Sequence, residues 1–102
     1  MKAYWMARAK IIDPVVYQEY REATKISSLN HPRRVLARGG RFEVLEGKTI
    51  YDRFVILEYP SFDAALAYFH STEYQAAAAI RRHASNNEVV VLEGLPEGSG
   101  ET

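Results

Sequence analysis

Asp52-Arg53-Phe54-Val55-Ile56-Leu57-Glu58-Tyr59 holds four large apolar residues in an unbroken run and is followed at once by Pro60. Such a short run, rich in β-branched and aromatic side chains and bounded by a breaker, reads as a central strand buried on both faces. Downstream, Pro60-Ser61 opens a helix with Ser61 as its cap, and Phe62, Ala65, Leu66 and Phe69 form an apolar stripe at i, i+3, i+4 and i+7. Thr72-Glu73-Tyr74-Gln75 then has the form of a capping box, so the helix is expected to jog near His70-Ser71 and restart through Ala76 to Ala84. Asn86-Asn87 reads as its stop, and Glu88 to Leu92 as a last strand.

Upstream of the central strand, Val35-Leu36-Ala37-Arg38 is a strand interrupted by Gly39-Gly40. The alternation of Arg41-Phe42-Glu43-Val44-Leu45 reads as its resumption, the glycines marking a bulge or a close backbone approach, and Gly47-Lys48 makes the next turn. At the amino end, Lys2, Tyr4, Met6 and Arg8 alternate with Ala3, Trp5, Ala7 and Ala9, which is the period of a strand. Asp13-Pro14 supplies an N-cap and a proline at the first helical position. In the helix that follows, Val16, Tyr20 and Ala23 mark the buried side, and it should fade near Ser27-Ser28 before the loop around Asn30-His31-Pro32.

The order is β-α-β-β-α-β. Right-handed crossovers then give an α+β, ferredoxin-like antiparallel sheet with its helices on one face. The other face stays bare, and either Val55 and Leu57 or Phe54 and Ile56 must point from it. An apolar patch of that kind is too large for a monomer, and an isologous homodimer that closes two sheets into an α/β barrel covers it.

The chain has 102 residues, 47% hydrophobic and 25% charged, with 13 Lys+Arg against 13 Asp+Glu. Zero net charge lacks the basic excess of a nucleic-acid binder and favours self-association. There is no cysteine, which excludes disulfides, thiol nucleophiles and thiolate metal sites. No stretch reaches the length of a membrane span, and Arg8 interrupts the amino terminus before a signal-peptide core can form. The expectation is a cytoplasmic protein with one domain over residues 1–94, a flexible tail over 95–102, and neither nucleic acid nor membrane as partner.

Lys2-Ala3-Tyr4-Trp5, Leu36-Ala37-Arg38-Gly39-Gly40, Val44-Leu45-Glu46-Gly47, Ser71-Thr72-Glu73-Tyr74-Gln75 and Val91-Leu92-Glu93-Gly94 occur in this order and spacing. Together they resemble the DUF1330 family of the dimeric α/β-barrel superfamily over roughly residues 1 to 94. The resemblance implies a ferredoxin-like homodimer without an assigned general activity, in a superfamily that includes cofactor-free monooxygenases, isomerases, haem enzymes and ligand sensors. Asn30-His31-Pro32-Arg33-Arg34 stands where that family more often has Tyr-Gly-Gly-Arg.

The strongest candidate for chemistry is Arg38 beside Gly39-Gly40, because a fixed guanidinium next to free backbone amides suits a carboxylate or enolate oxygen. The competing reading pairs Arg38 with Glu43, Asp52 or Glu58 across the sheet. His31 is the candidate general base, at the rim of any pocket between helices and sheet. Tyr74, at a helix start, could carry its hydroxyl toward the strand arginine, and Tyr4 is a further candidate for ligand contact. His70 and Glu73 have metal-like spacing, but two ligands across a helix break do not make a site, so no metal and no cofactor are expected. Arg33-Arg34 and Arg81-Arg82 read as solvated pairs. The composite reading is a homodimer that binds a small organic acid or aromatic compound, with a cofactor-independent enzyme as its catalytic form. The alternative is a non-catalytic ligand-sensing module.

Overall fold

The computed structural model describes residues 1–96, and the expected tail falls almost wholly outside them. The elements are β1 (Ala3–Ile11), α1 (Pro14–Ser27), β2 (Arg34–Arg38), β3 (Arg53–Tyr59), α2 (Phe62–His70), α3 (Thr72–Ala84) and β4 (Ser85–Glu93). The four strands run antiparallel in the order β2-β3-β1-β4. Gly94, the last residue of the expected domain, donates its amide to the Lys2 carbonyl at 2.7 Å and so extends the β1–β4 pairing.

Each turn from strand to helix has a local cause. Asp13 Oδ1 accepts from the Val15 and Val16 amides at 3.1 Å each, and Pro14 supplies the preset backbone angle. The helical jog is at Ser71, one residue before the expected cap at Thr72. Ser71 Oγ accepts from the Tyr74 amide at 3.2 Å and donates to the Tyr68 carbonyl at 2.7 Å, so one hydroxyl ends α2 and starts α3. Gln75 Nε2 braces the corner with a 2.6 Å bond to the Phe69 carbonyl.

Two expectations are corrected. Gly39-Gly40 ends β2 outright, and Arg41–Leu45 is not a strand. Gly39 has a φ of +66°, which turns the chain off the sheet edge, and the register shift lies earlier, between Val35 and Ala37. β4 starts at Ser85, so Asn86-Asn87 stands inside the strand, paired with Lys10 and Ala9, instead of stopping a helix. On α1 the expected Val16 and Tyr20 pack against the core, and the same side extends to the buried Tyr17 and Ser27.

The core lies between the helices and the alternate residues Trp5, Leu57 and Tyr59, joined by Ala65, Tyr68, Tyr74 and Ala78. Trp5 sits among Tyr59, Tyr68, Phe69 and Tyr74 with ring centroids 5.2–6.2 Å apart. The opposite face carries Tyr4, Met6, Phe54, Ile56, Val90 and Leu92 (the second of the two expected alternatives), with Met6 directly between Ile56 and Val90. One helical layer on one sheet gives a molecule only 17 Å thick, and Val90 and Leu92 are 44% and 56% exposed.

Candidate functional site

A cavity of about 220 Å³ opens between α1 and the helix-facing side of β1, β2 and β3. Its origin is in the sequence. Beyond Trp5, β1 presents the small Ala7 and Ala9 beneath it, and α1 packs chiefly on α3. The floor of Trp5, Ala7, Ala9, Val55, Leu57 and Val89 is apolar; the walls are the rings of Tyr17, Tyr20, Tyr68 and Tyr74.

Six arginines border this floor: Arg8 from β1 and Arg21 from α1, with Arg33 before β2, Arg38 from β2, Arg53 from β3 and Arg81 from α3. No Asp, Glu or His is among the described residues that line it. Arg38 has none of the partners suggested for it, since Asp52 pairs with Lys10 at 3.2 Å and Glu58 with Lys2 at 3.5 Å. Arg81 is 6% exposed, and its Nε, like that of Arg53, is buried with no hydrogen-bond partner among the described residues. Buried Arg81 and half-buried Arg33 and Arg53 each lie over a tyrosine ring: Arg33 over Tyr68 at 5.3 Å, Arg53 over Tyr17 at 5.7 Å and Arg81 over Tyr20 at 5.9 Å. Ring faces soften the desolvation of a cation but do not replace a counter-ion.

The hydroxyls of Tyr20, Tyr74 and Tyr59 are held protonated. Burial pushes Tyr20 well above the usual phenol range, with Tyr74 adding to the effect, and the two hydroxyls lie 3.1 Å apart. Burial likewise raises Tyr74, and lifts Tyr59 to about 12 even with Arg33 Nη1 3.4 Å from its oxygen. These groups can donate to a bound oxygen but are poor bases near neutrality.

Of the residues singled out from the sequence, Arg38 and Tyr74 line the cavity. Tyr4 is on the opposite sheet face, paired with Glu58 and Leu92, because strand alternation turns it away. His31 lies behind a wall: its ring packs on Tyr68 at 5.1 Å and its Nε2 is 3.8 Å from Glu73 Oε1. Gly39 acts through Arg53, whose guanidinium fills the space a side chain at residue 39 would need, while Gly40 faces open space. Arg33 and Arg81, read as solvated, are turned inward, and only Arg34 and Arg82 of the two pairs are exposed. No three described His, Cys, Asp or Glu residues converge as a metal-ligand set.

The sequence did carry a signal for the missed arginines. Arg81 lies in the stripe Tyr74, Ala77, Ala78, Arg81, Ala84, and Arg53 shares the strand face of Val55, Leu57 and Tyr59. A charge inside an apolar stripe marks a buried cation that needs a partner.

Among solved structures, the chain is similar to a protein of unknown function from Rhodopseudomonas palustris, at 18% identity over 93% of this chain and 83% of that one, TM-score 0.69. It is similar to a dimeric ferredoxin-like protein of unknown function from Jannaschia sp. CCS1, at 15% identity over 92% and 100% of the two chains, TM-score 0.69. A third likeness is to SnoaB, a cofactor-independent oxygenase from Streptomyces nogalater, at 12% identity over 95% and 96%, TM-score 0.63. These TM-scores show a shared ferredoxin-like fold. No curated protein matches the chain. The family described as "Domain of unknown function (DUF1330)" matches residues 2–95.

Proposed function

We propose that this chain, which belongs to the DUF1330 family over residues 2–95, binds a small organic anion in the cleft beneath α1 and works as a homodimer. The observation that carries the reading is the gathering of Arg33, Arg38, Arg53 and Arg81 around an apolar cavity with no acidic side chain in its lining. A chain of zero net charge has segregated its cations there, and an unpaired buried guanidinium is costly until a carboxylate reaches it. The aromatic walls suit a flat or apolar ligand body, and the neutral tyrosine hydroxyls add donors for its oxygens.

Between binding and catalysis, the lining favours binding, because the cavity is bordered by no described group that is a strong base at neutral pH. A catalytic form would have to rest on stabilising an enolate or phenolate by the arginines, with the proton leaving to water. The second copy has its own support: a bare face of Met6, Ile56, Val90 and Leu92, and a fold neighbour described as dimeric.

The test uses Trp5, the sole tryptophan, which lines the cavity. Titration with benzoate and related carboxylates is expected to change its fluorescence saturably and to raise the melting temperature. Arg38→Met should abolish both responses in a protein of unchanged mass in solution. No response to any carboxylate would remove the reading, and oxygen uptake with a bound acid would move it to the catalytic form.

A further inference from the structure

We infer that residues 41–45 are a second part of the dimer contact, pairing as an antiparallel ribbon with the same residues of a second copy across the twofold axis. The inference rests on the homodimer reading above and adds to the bare sheet face a segment outside the sheet. Arg41-Phe42-Glu43-Val44-Leu45 runs without turn or bend and alternates like a strand, yet no amide or carbonyl of residues 40–50 bonds to another backbone group among the described residues. The segment therefore has the open donors and acceptors of a sheet edge.

It is also held on the side where a second copy is expected. The Phe42 ring lies 4.7 Å from that of Phe54 on the bare face, and Arg8 of the same face lies 4.5 Å over Tyr51. Phe42 and Val44 nonetheless stay 49% and 46% exposed, so the apolar surface runs on from the sheet to this arm without a cover.

The charges of the arm point to its own copy as that cover. In an isologous pair the facing residues share a side of the ribbon, so the twofold axis passes beside a residue and not between two. An axis at Arg41 or Glu43 sets like charges against each other, and one at Val44 or Leu45 sets every charge against a neutral residue. At Phe42, Arg41 faces Glu43 twice and Phe42 meets its own copy. Val44 then faces Gly40, where the space a side chain would take is open. Opposite charges and paired rings directly across two strands are the contacts that stabilise such a ribbon.

The experiment measures the dimer dissociation constant of the full chain by sedimentation for wild type, Arg41→Glu, Glu43→Arg and the double variant. Both side chains are exposed, and a far-ultraviolet spectrum checks the fold. Each single variant sets two like-charged pairs across the axis and is expected to raise the constant about tenfold. The double variant reverses both pairs and is expected to stay within about threefold of wild type. Because the two single variants change the net charge in opposite senses, a loss common to both is not an effect of net charge. An equal mixture of them is expected to form the mixed dimer in preference to either parent, since every facing pair in it is again opposite in charge. Single variants that dimerise like wild type, or losses that add in the double variant instead of cancelling, overturn the ribbon while the sheet-face homodimer stands. A wild-type chain that remains a monomer at micromolar concentration removes both.

Discussion

The guanidinium of Arg53 occupies the volume that a side chain on Gly39 would claim, so the glycine at the end of β2 and the cation at the start of β3 are placed by one another. Gly39 also holds a φ of +66° and donates its amide to the Phe54 carbonyl at 3.0 Å. Alanine there meets both difficulties. The backbone alone costs about 1–2 kcal/mol for an L-residue in the left-handed region, and Arg53 must leave its seat. Gly39→Ala is therefore expected to lower the urea midpoint by an amount worth about 1–2 kcal/mol and to weaken carboxylate binding at least several-fold. Gly40→Ala, with open space around it, is the control and should leave binding unchanged.

Ala7 forms the floor of the cleft between Val55 and Val89. A larger side chain there projects into existing space, so the usual penalty of overpacking, about 1–3 kcal/mol, is relieved. Ala7→Leu is expected to abolish binding of every probe while the thermal midpoint stays within a few degrees of wild type. A fall in stability comparable to a core overpacking, with binding retained, would mean that the space beneath α1 is not the ligand site.

How far the sequence could be read follows from what each signal reports. Asp13-Pro14, the alternation of β1 and the break at His70-Ser71 were legible because a cap, a strand period and a second helix start are local chemistry. Arg41–Leu45 misled because alternation reports two faces but says nothing about a partner. β3 begins only at Arg53, and the Asp52 amide goes to the Ala9 carbonyl, which leaves no strand for Arg41–Leu45 to join. The site was half legible. Arg38 stood out beside its glycines, whereas Arg33 and Arg81 were hidden in basic pairs whose members diverge by about 100° on a helix or to opposite sides of a chain. Placing the cavity needed the packing of α1 on α3, a tertiary fact that no local pattern contains.

Tyr59 gives the stability curve an alkaline limb. Burial raises its phenol to about 12 from the ordinary 10.0. Between those values the unfolded chain has lost the proton and the folded chain retains it, so the folded state binds more protons and stability falls as pH rises. The contribution is fully present below pH 10 and is lost by about pH 12, on the order of 3 kcal/mol for a shift of that size. Tyr20 and Tyr74, both raised by burial, act in the same direction. Urea midpoints measured from pH 8 to 11.5 should fall steadily above pH 10. Tyr59→Phe should start lower at pH 8, since Arg33 loses its hydroxyl partner, and should decline less steeply.

Met6 and Ile56 stand side by side at the centre of the bare sheet face, flanked by Val90, while the ion pairs Arg8–Glu88 at 2.8 Å and Lys2–Glu58 at 3.5 Å border them. That pattern of an apolar centre with a charged rim is the anatomy of an interface between copies. A twofold axis brings each position to the interface twice, so one substitution acts in duplicate. Ile56→Lys should raise the dimer dissociation constant at least about tenfold per copy, about a hundredfold together, equivalent to ~2.7 kcal/mol. Light scattering at micromolar concentration is expected to give twice the chain mass for wild type and a single chain for Ile56→Lys. Because the side chain points away from α1 and the cavity, the variant's far-ultraviolet spectrum should not change. A wild-type chain that runs as a monomer across this range would remove the homodimer, and a dimeric Ile56→Lys would move the interface to another surface.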